Sequence, residues 1–222
     1  MRRTACLVVV AIALAAGLAG CKKKQALPPV TEVQQASAMQ LGFAVGSFTA
    51  QQSQPLELRK ESAVGFLRSE SDLLRFMARI PINDTDAASA TSALLDGFAD
   101  PNPSRGAQLV SEGINLLMQR LADGSYPELL WVFKAGVTVG HSMEIINVLT
   151  HGTPGEEHIP AFAALTLKNR QTLQADLDQS NLPQEWIDVI QGVNIEPRSV
   201  SDLLSINRAC LKVRSLVRQI VL

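Results

Sequence analysis

The sequence predicts an all-α protein of about eight helices packed in one compact bundle, and three observations favour this fold class. Apolar and small residues recur at spacings of three and four over most of the chain from about residue 33 onward. Few segments combine β-branched residues with strict alternation. No pair of such segments flanks an Asn-Gly or Asp-Gly turn, so hairpins are not expected.

Stripes of apolar or small residues define the faces of the long helices. The stripe of the first helix comprises Ala36, Met39, Phe43, Gly46 and Ala50. The stripe of the fourth helix comprises Val110, Ile114, Leu117 and Leu121. The stripe of the fifth helix comprises Leu129, Val132, Gly136, Val139, Met143 and Ile146. The stripe of the last helix comprises Leu203, Ile206, Cys210, Val213, Val217 and Ile220. We therefore interpret Cys210 as a buried small apolar residue rather than a reactive thiol.

Proline, glycine and polar residues interrupt these stripes and predict the helix boundaries. The predicted breaks lie at residues 81–85, 100–103, 123–124 and 152–155. Gly152 suits the position just after the last turn of the fifth helix, where a left-handed backbone is common. Pro183 and Pro197 suit the first turns of the seventh and eighth helices, where a missing amide hydrogen costs nothing.

The composition fits a globular domain and excludes several function classes. The chain has 222 residues, of which 46% are hydrophobic, so it is too apolar for wholesale disorder and large enough to bury a core. It carries 20 Lys and Arg against 21 Asp and Glu, and only 5% of its residues are aromatic. A basic surface or a base-stacking surface is therefore not expected, and we predict no nucleic-acid partner.

Two helices carry a Gly-x-x-x-Gly motif, formed by Gly42 and Gly46 in the first and by Gly136 and Gly140 in the fifth. Glycine inside a helix costs ~1 kcal/mol relative to alanine, a cost that is tolerable where a second backbone approaches closely. We interpret all four glycines as helix-packing residues inside one core, with the two helices packed on each other. A homodimer contact is the alternative.

The run 129–149 has the length of a membrane span. Lys134 and Glu144 lie at its inner positions, where they would be costly in lipid. A buried core helix is therefore the favoured interpretation.

The two Gly-x-x-x-Gly segments are related by an offset of 94 residues, which also pairs Leu117 with Leu211 and Arg120 with Arg214. Two interpretations stay open. The matches arise by chance, or the domain consists of two repeats of four helices each, covering residues 32–124 and 125–222. Each repeat would then bury its apolar face against the other.

The amino terminus carries the most specific motif. Arg2 and Arg3 precede an uncharged run over residues 5–17, which is too short to span a membrane and suits the apolar core of a signal peptide. Leu18-Ala19-Gly20-Cys21 follows. Over residues 1–21 the chain resembles the bacterial lipoproteins, whose signal ends in a cysteine. The resemblance implies a diacylglycerol on the Cys21 sulfur, cleavage before Cys21, and an acyl chain such as palmitate on the new amino group.

This resemblance divides the chain into a signal peptide (1–20), a lipidated cysteine with its tether (21–31), and an all-α globular domain (32–222). It implies that the bilayer is a partner through the acylated Cys21. Lys22 follows the cysteine, where an Asp would suggest retention in the inner membrane. We therefore expect an anchor in the outer membrane, facing the periplasm. The mature chain would keep Cys210 as its one free thiol.

The three histidines fall within residues 141–158 and are the candidates for a metal site. His141 and Glu144 are three residues apart on a helix, so their side chains are able to face one site. His151 lies at the end of that helix, and His158 follows in a loop. Imidazoles and carboxylates bind zinc, but the spacing fits no zinc signature. Ordinary surface histidines are the alternative.

Other chemistry is not indicated by the sequence. No nucleophile elbow, phosphate-binding loop or dinucleotide fingerprint is present. The nearby carboxylates Asp176 and Asp178 lie in a polar context, so we expect them to be solvated. We predict no cofactor, and whether the protein is an enzyme stays open, with a non-catalytic role favoured.

The favoured function is a membrane-anchored helical module that binds or scaffolds components of the cell envelope, with an envelope protein as one candidate partner. Two alternatives are kept. One is an envelope enzyme or metal-binding protein that uses the His141–His158 region. The other is a carrier of a small apolar ligand, which requires an enclosed apolar cavity larger than ~300 Å³.

Overall fold

A computed structural model describes residues 28–52, 75–82, 84–124 and 126–221, and all of the regular structure within them is helical. The α-helices are α1 (Glu32–Gln52), α2 (Asp84–Ala99), α3 (Pro103–Asp123), α4 (Glu128–Thr150), α5 (Ile159–Gln179), α6 (Gln184–Gln191) and α7 (Val200–Val221). A short 3-10 turn, Glu156–His158, leads into α5. The prediction of an all-α fold is confirmed. The predicted second helix lies outside the described residues, except for residues 75–77, which are helical.

The centre of the fold is the pair α1 and α4, which run in the same direction. Gly42 lies against Phe133, Gly46 lies against Val137, and farther along both helices the Gln51 side chain donates a hydrogen bond to Glu144 at 2.9 Å. Every residue of α1 from 35 to 51 is buried except one at partial exposure. A helix that is buried on all sides is mostly apolar or small around its whole circumference, as α1 is. Three glutamines are buried as well, and two of them donate hydrogen bonds: Gln35 to the Asn181 carbonyl oxygen and Gln51 to Glu144.

The four glycines lie where α1 and α4 touch. A Cβ atom added at any of them would come closer than 3.0 Å to a backbone carbonyl oxygen of the opposite helix. The carbonyl groups belong to Phe133 for Gly42, Val137 for Gly46, Met39 for Gly136 and Phe43 for Gly140. Only glycine permits this approach. Because these glycine faces are occupied within the chain, they are not available for a homodimer contact.

The contacts between α1 and α4 also have an internal symmetry. The offset of 94 relates Met39 to Phe133 and Gly42 to Gly136. The contact of Met39 with Gly136 is therefore equivalent to the contact of Phe133 with Gly42, with the roles of α1 and α4 exchanged. In the same way, the contact of Gly140 with Phe43 is equivalent to the contact of Gly46 with Val137. Helices α1 and α4 are therefore related to each other by an approximate two-fold axis that runs parallel to them, as expected for two packed repeats.

The offset of 94 does not extend to α3 and α7. Leu117 is fully buried, whereas Leu211, its partner at this offset, is 47% exposed. The buried residues of the two helices coincide at an offset of 96 instead, which pairs Leu117 with Val213 and Leu121 with Val217. The hypothesis of two repeats is compatible with this burial pattern if the second repeat contains two inserted residues.

The prolines before α6 and α7 lie outside the first turns in which they were expected. Pro183 is the residue that precedes α6, with an extended ψ of 142°. Pro197 lies three residues before α7 begins at Val200. The start of α7 is instead set by Ser199 and Asp202, because the Ser199 amide donates to the Asp202 carboxylate at 3.0 Å and the Asp202 amide donates to the Ser199 hydroxyl at 3.2 Å. These reciprocal hydrogen bonds satisfy amides that the helix itself leaves unpaired.

Among the described residues, α4 is the helix that is long and apolar enough to cross a membrane by length and composition. Its apolar window is 78% buried inside the protein, and α1, α5 and α7 pack around it. A core helix of a globular protein passes the same test. The packing of α4 is that of a core helix, and its apolar character is explained by its central position.

Candidate binding cleft

The described residues form a cleft of about 720 Å³ bounded by α1, α3, α4 and α5. We call it the α3–α5 cleft. Its apolar lining residues are Val45, Ile114, Met118, Trp131, Phe133, Val137 and Ala175. Its charged lining residues are Lys134, Lys168 and Asp176. Its remaining lining residues are Thr49, Thr138, Asn169, Gln171, Thr172 and Gln179.

Helical spacing explains which side chains reach the cleft. Trp131, Lys134 and Thr138 are three and four residues apart, so they lie along one side of α4, beside the face that packs on α1. Ile114 and Met118 are four apart on α3 and form the opposite wall. Because α3 packs mainly on α2 and only lightly on α1 and α4, a gap remains between α3 and the central pair.

The α5 wall is antiparallel to α4. The Thr138 hydroxyl donates to the Asn169 carbonyl oxygen at 3.5 Å, and α5 begins soon after α4 ends. Asp176 is therefore nearer to Lys134, and Lys168 lies farther along, near the level of Thr138. The two lysines thus stand at different levels along the same cleft.

The ammonium group of Lys134 lies 4.2 Å from the centre of the Trp131 ring. A cation in this position is attracted by the negative face of the aromatic ring. No carboxylate of the described residues lies within ion-pair distance of this ammonium group or of that of Lys168. Both positive charges are therefore left without a direct counter-ion by the part of the chain that the structure describes.

Asp176 is only 4% exposed, so the expectation that it is solvated is wrong. Burial raises the pKa of the Asp176 carboxyl, while the positive charge of Lys134 and a hydrogen bond from Thr172 act in the opposite direction. The residue was placed in a polar context because its neighbours along the chain are polar. It is buried because it lies on the side of α5 that packs toward α4.

The histidine candidates do not come together. Among the described residues, no three His, Cys, Asp or Glu side chains form a group that could hold a metal ion. Glu144 is buried and accepts the hydrogen bond from Gln51. His151 is exposed at the end of α4, with a left-handed φ of 45°. His158 accepts a hydrogen bond from the Gly155 amide at its Nδ1 atom, at 2.9 Å.

His141 lies in the middle of α4 and is largely enclosed. Its Nδ1 atom is buried and has no hydrogen-bond partner among the described residues. Burial lowers the pKa of the imidazole, because the charged form is disfavoured away from water. Ten residues of helix separate His141 from His151, or ~15 Å at 1.5 Å per residue, so one metal ion is not within reach of both.

Of the two predictions that concern cysteines, the structure tests only the one for Cys210. Cys21 lies outside the described residues, so its lipidation stays a prediction. Cys210 is fully buried in the stripe of α7, and burial raises the pKa of its thiol to about 12. A thiol with this pKa carries almost no thiolate at neutral pH, which is the form that reacts.

The fold and the cleft together define an all-α protein with a groove between its helices. Comparison of the chain with protein-family models, with curated proteins and with solved structures finds no match. The function is therefore argued from the cleft and from the sequence.

Proposed function

We propose that this chain is a lipid-anchored protein of the bacterial cell envelope whose helical domain binds a ligand in the α3–α5 cleft without transforming it. The anchor would be the acylated Cys21, placed by the resemblance of residues 1–21 to lipoprotein signals. Outer-membrane sorting, with the domain in the periplasm, is the arrangement that Lys22 favours.

The observation that carries the binding role is the cleft itself. Its volume of about 720 Å³ falls within the ~300–1,000 Å³ of small-molecule sites, and an apolar lining with a few polar groups is typical of them. This lining supports a binding role. The cleft is partly open to solvent, unlike the enclosed apolar cavity that a carrier of a small apolar ligand requires.

A protein partner is the second candidate, and α7 favours it. Leu204 and Leu211 are 37% and 47% exposed and lie seven residues apart, on one side of the helix. A protein that packs along this face of α7 would cover both side chains. If this surface binds an envelope protein, replacing both leucines with glutamate should abolish co-purification of that protein after crosslinking and leave cleft binding unchanged.

The anchor is tested by metabolic labelling with palmitate in a Gram-negative host. We expect the label to enter the wild-type protein and the Cys210→Ala variant, and to be absent from Cys21→Ala. Both variants lose one thiol, so Cys210→Ala is the matched control. An unlabelled wild-type protein, or a Cys21→Ala variant that is processed and fractionates like the wild type, would end the anchoring proposal. Neither result bears on the cleft, which is tested separately below.

A further inference from the structure

We infer that the ligand of the α3–α5 cleft is a single-chain anionic amphiphile, with its acidic head group between Lys134 and Lys168 and its acyl chain along the apolar wall. This inference rests on the proposed function, because it assumes that the cleft is a binding site. It goes further by naming the chemistry of the ligand and the residues that select it.

The charge of the cleft favours an anionic head group. Two lysines and one carboxylate line it, so its formal charge is positive. Neither lysine has a described carboxylate within ion-pair distance. A carboxylate or phosphate placed between them would be attracted by both ammonium groups, although Asp176 already interacts with that of Lys134.

A cationic ligand is disfavoured by the same residues. The aromatic face that would attract a positive head group is the Trp131 ring, and the Lys134 ammonium group already lies over it at 4.2 Å. A second cation would displace this ammonium group or stand beside it. Displacement would cost the cation–π contact of Lys134, and a cation beside it would suffer like-charge repulsion.

The apolar wall favours a flexible acyl chain. Val45, Ile114, Met118, Phe133 and Val137 come from three different helices and are aliphatic apart from Phe133. The unbranched thioether side chain of methionine adapts to ligands of irregular shape. Because α3 packs lightly on α1 and α4, this wall has room to accept a chain.

The test is photo-crosslinking to the full chain reconstituted in phosphatidylcholine vesicles. The probe is palmitate with a diazirine in its chain, and the comparison probes carry an alcohol or a trimethylammonium head on the same chain. Labelled residues are mapped by mass spectrometry. We expect the palmitate probe to label the α3 and α4 walls about tenfold more than either comparison probe, because hydrogen bonds to charged groups contribute at least that much to affinity.

Three variants identify the selecting residues. The double variant Lys134→Gln with Lys168→Gln should lower palmitate labelling to the level of the alcohol probe. The matched control is Arg208→Gln with Lys212→Gln, which removes two positive charges from exposed positions of α7 and should leave labelling unchanged. Asp176→Asn should increase palmitate labelling, because it removes the opposing charge and keeps both lysines. Lys168→Gln alone, at an exposed position, should give a partial loss even if the double variant folds poorly.

The outcomes separate the two proposals. Equal labelling of the cleft by all three probes would overturn the anionic ligand and leave the cleft as a binding site. The anionic ligand would also be overturned, and the binding site kept, if the lysine variants were labelled like the wild type or if Asp176→Asn lowered the labelling. Labelling confined to residues outside the cleft with every probe would overturn both the ligand class and the binding role of the cleft, whatever the result at Cys21.

Discussion

Replacing Gly42 with alanine tests the packing on which the fold depends. On an exposed helix this change stabilises a protein by up to ~1 kcal/mol, because alanine is the better helix former. Here the new Cβ atom would lie closer than 3.0 Å to the carbonyl oxygen of Phe133 and the amide nitrogen of Val137. Both are backbone atoms of α4 and have no rotamer by which to move aside, so α1 and α4 must separate.

The magnitude follows from two opposing terms. Overpacking of a tight core costs ~1–3 kcal/mol and sometimes more, and a clash of backbone against backbone belongs at the upper end. Subtracting ~1 kcal/mol for helix propensity leaves a net destabilisation of about 2 kcal/mol. For a domain of this size, this corresponds to a fall in the melting temperature of ~4–8 °C.

Urea unfolding followed by circular dichroism measures this change, and α3 supplies the control. A Cβ atom at Gly113 would lie 3.0 Å from the Leu94 side chain and 3.1 Å from the Ala90 carbonyl oxygen, so α2 needs to move by only a few tenths of an ångström. Gly113→Ala should therefore lie within ~1 kcal/mol of the wild type. If Gly42→Ala were as stable as Gly113→Ala, the close approach of α1 and α4 would not be what the glycines provide.

Three further predictions concern titratable groups. Burial raises the pKa of the Cys210 thiol to about 12, so the folded protein should resist iodoacetamide at pH 8 and react only as it unfolds in urea; rapid labelling of the native protein would contradict this. Burial lowers the pKa of His141 below its unfolded value of 6.5, so the folded state binds fewer protons. The free energy of unfolding should therefore fall as the pH drops from ~6.5 toward the folded pKa, by at most ~1.4 kcal/mol per pH unit. His141→Gln should remove that slope in urea titrations, and an unchanged slope would assign it to other groups. Burial raises the pKa of Asp176 above 3.8, so its charge destabilises the fold at neutral pH. Asp176→Asn should be more stable than the wild type at pH 7, and the difference should vanish as the pH falls through the folded pKa toward 3.8; a difference that stays constant with pH would refute this cause.

The sequence predicts the helices well because each long helix buries a face with a regular period. The stripe of α7 is an example: Leu203, Ile206, Cys210, Val213 and Val217 are all buried, as their spacing indicates. The glycine motifs are informative for a different reason. Glycine is costly in a helix, so a pair of glycines one turn apart indicates a close backbone contact even without knowledge of the partner.

The cleft was not predictable in the same way. Its walls come from four helices that are distant along the chain, and periodicity states which residues share a face but not how far apart two faces lie. From the sequence alone, Lys134 is only a charge that argues against a membrane span. Asp176 was expected to be solvated, because only the antiparallel packing of α5 on α4 shows that this carboxylate is buried.

The parallel direction of α1 and α4 relates the cleft to the proposed anchor. Met39 contacts Gly136, so Gln35, one turn earlier on α1, lies near the level of Val132 and of the Trp131 end of the cleft. The Gln35 side chain also donates to the Asn181 carbonyl oxygen at 3.1 Å, which fixes the start of α1 beside the end of α5. The tether over residues 22–31 spans at most ~36 Å when fully extended, so an anchored domain would keep this end of the cleft near the bilayer.

The two tryptophans make that end of the cleft observable. Trp131 is half-buried in the cleft, whereas Trp186 is 2% exposed in α6. In the Trp186→Phe variant, acrylamide should quench the remaining fluorescence strongly, and palmitate should protect it. In the matched Trp131→Phe variant, quenching should be weak and insensitive to palmitate. Equal quenching of both variants, or protection of Trp186 alone, would show that the ligand binds elsewhere, since Trp131 lines the cleft and Trp186 is buried in α6.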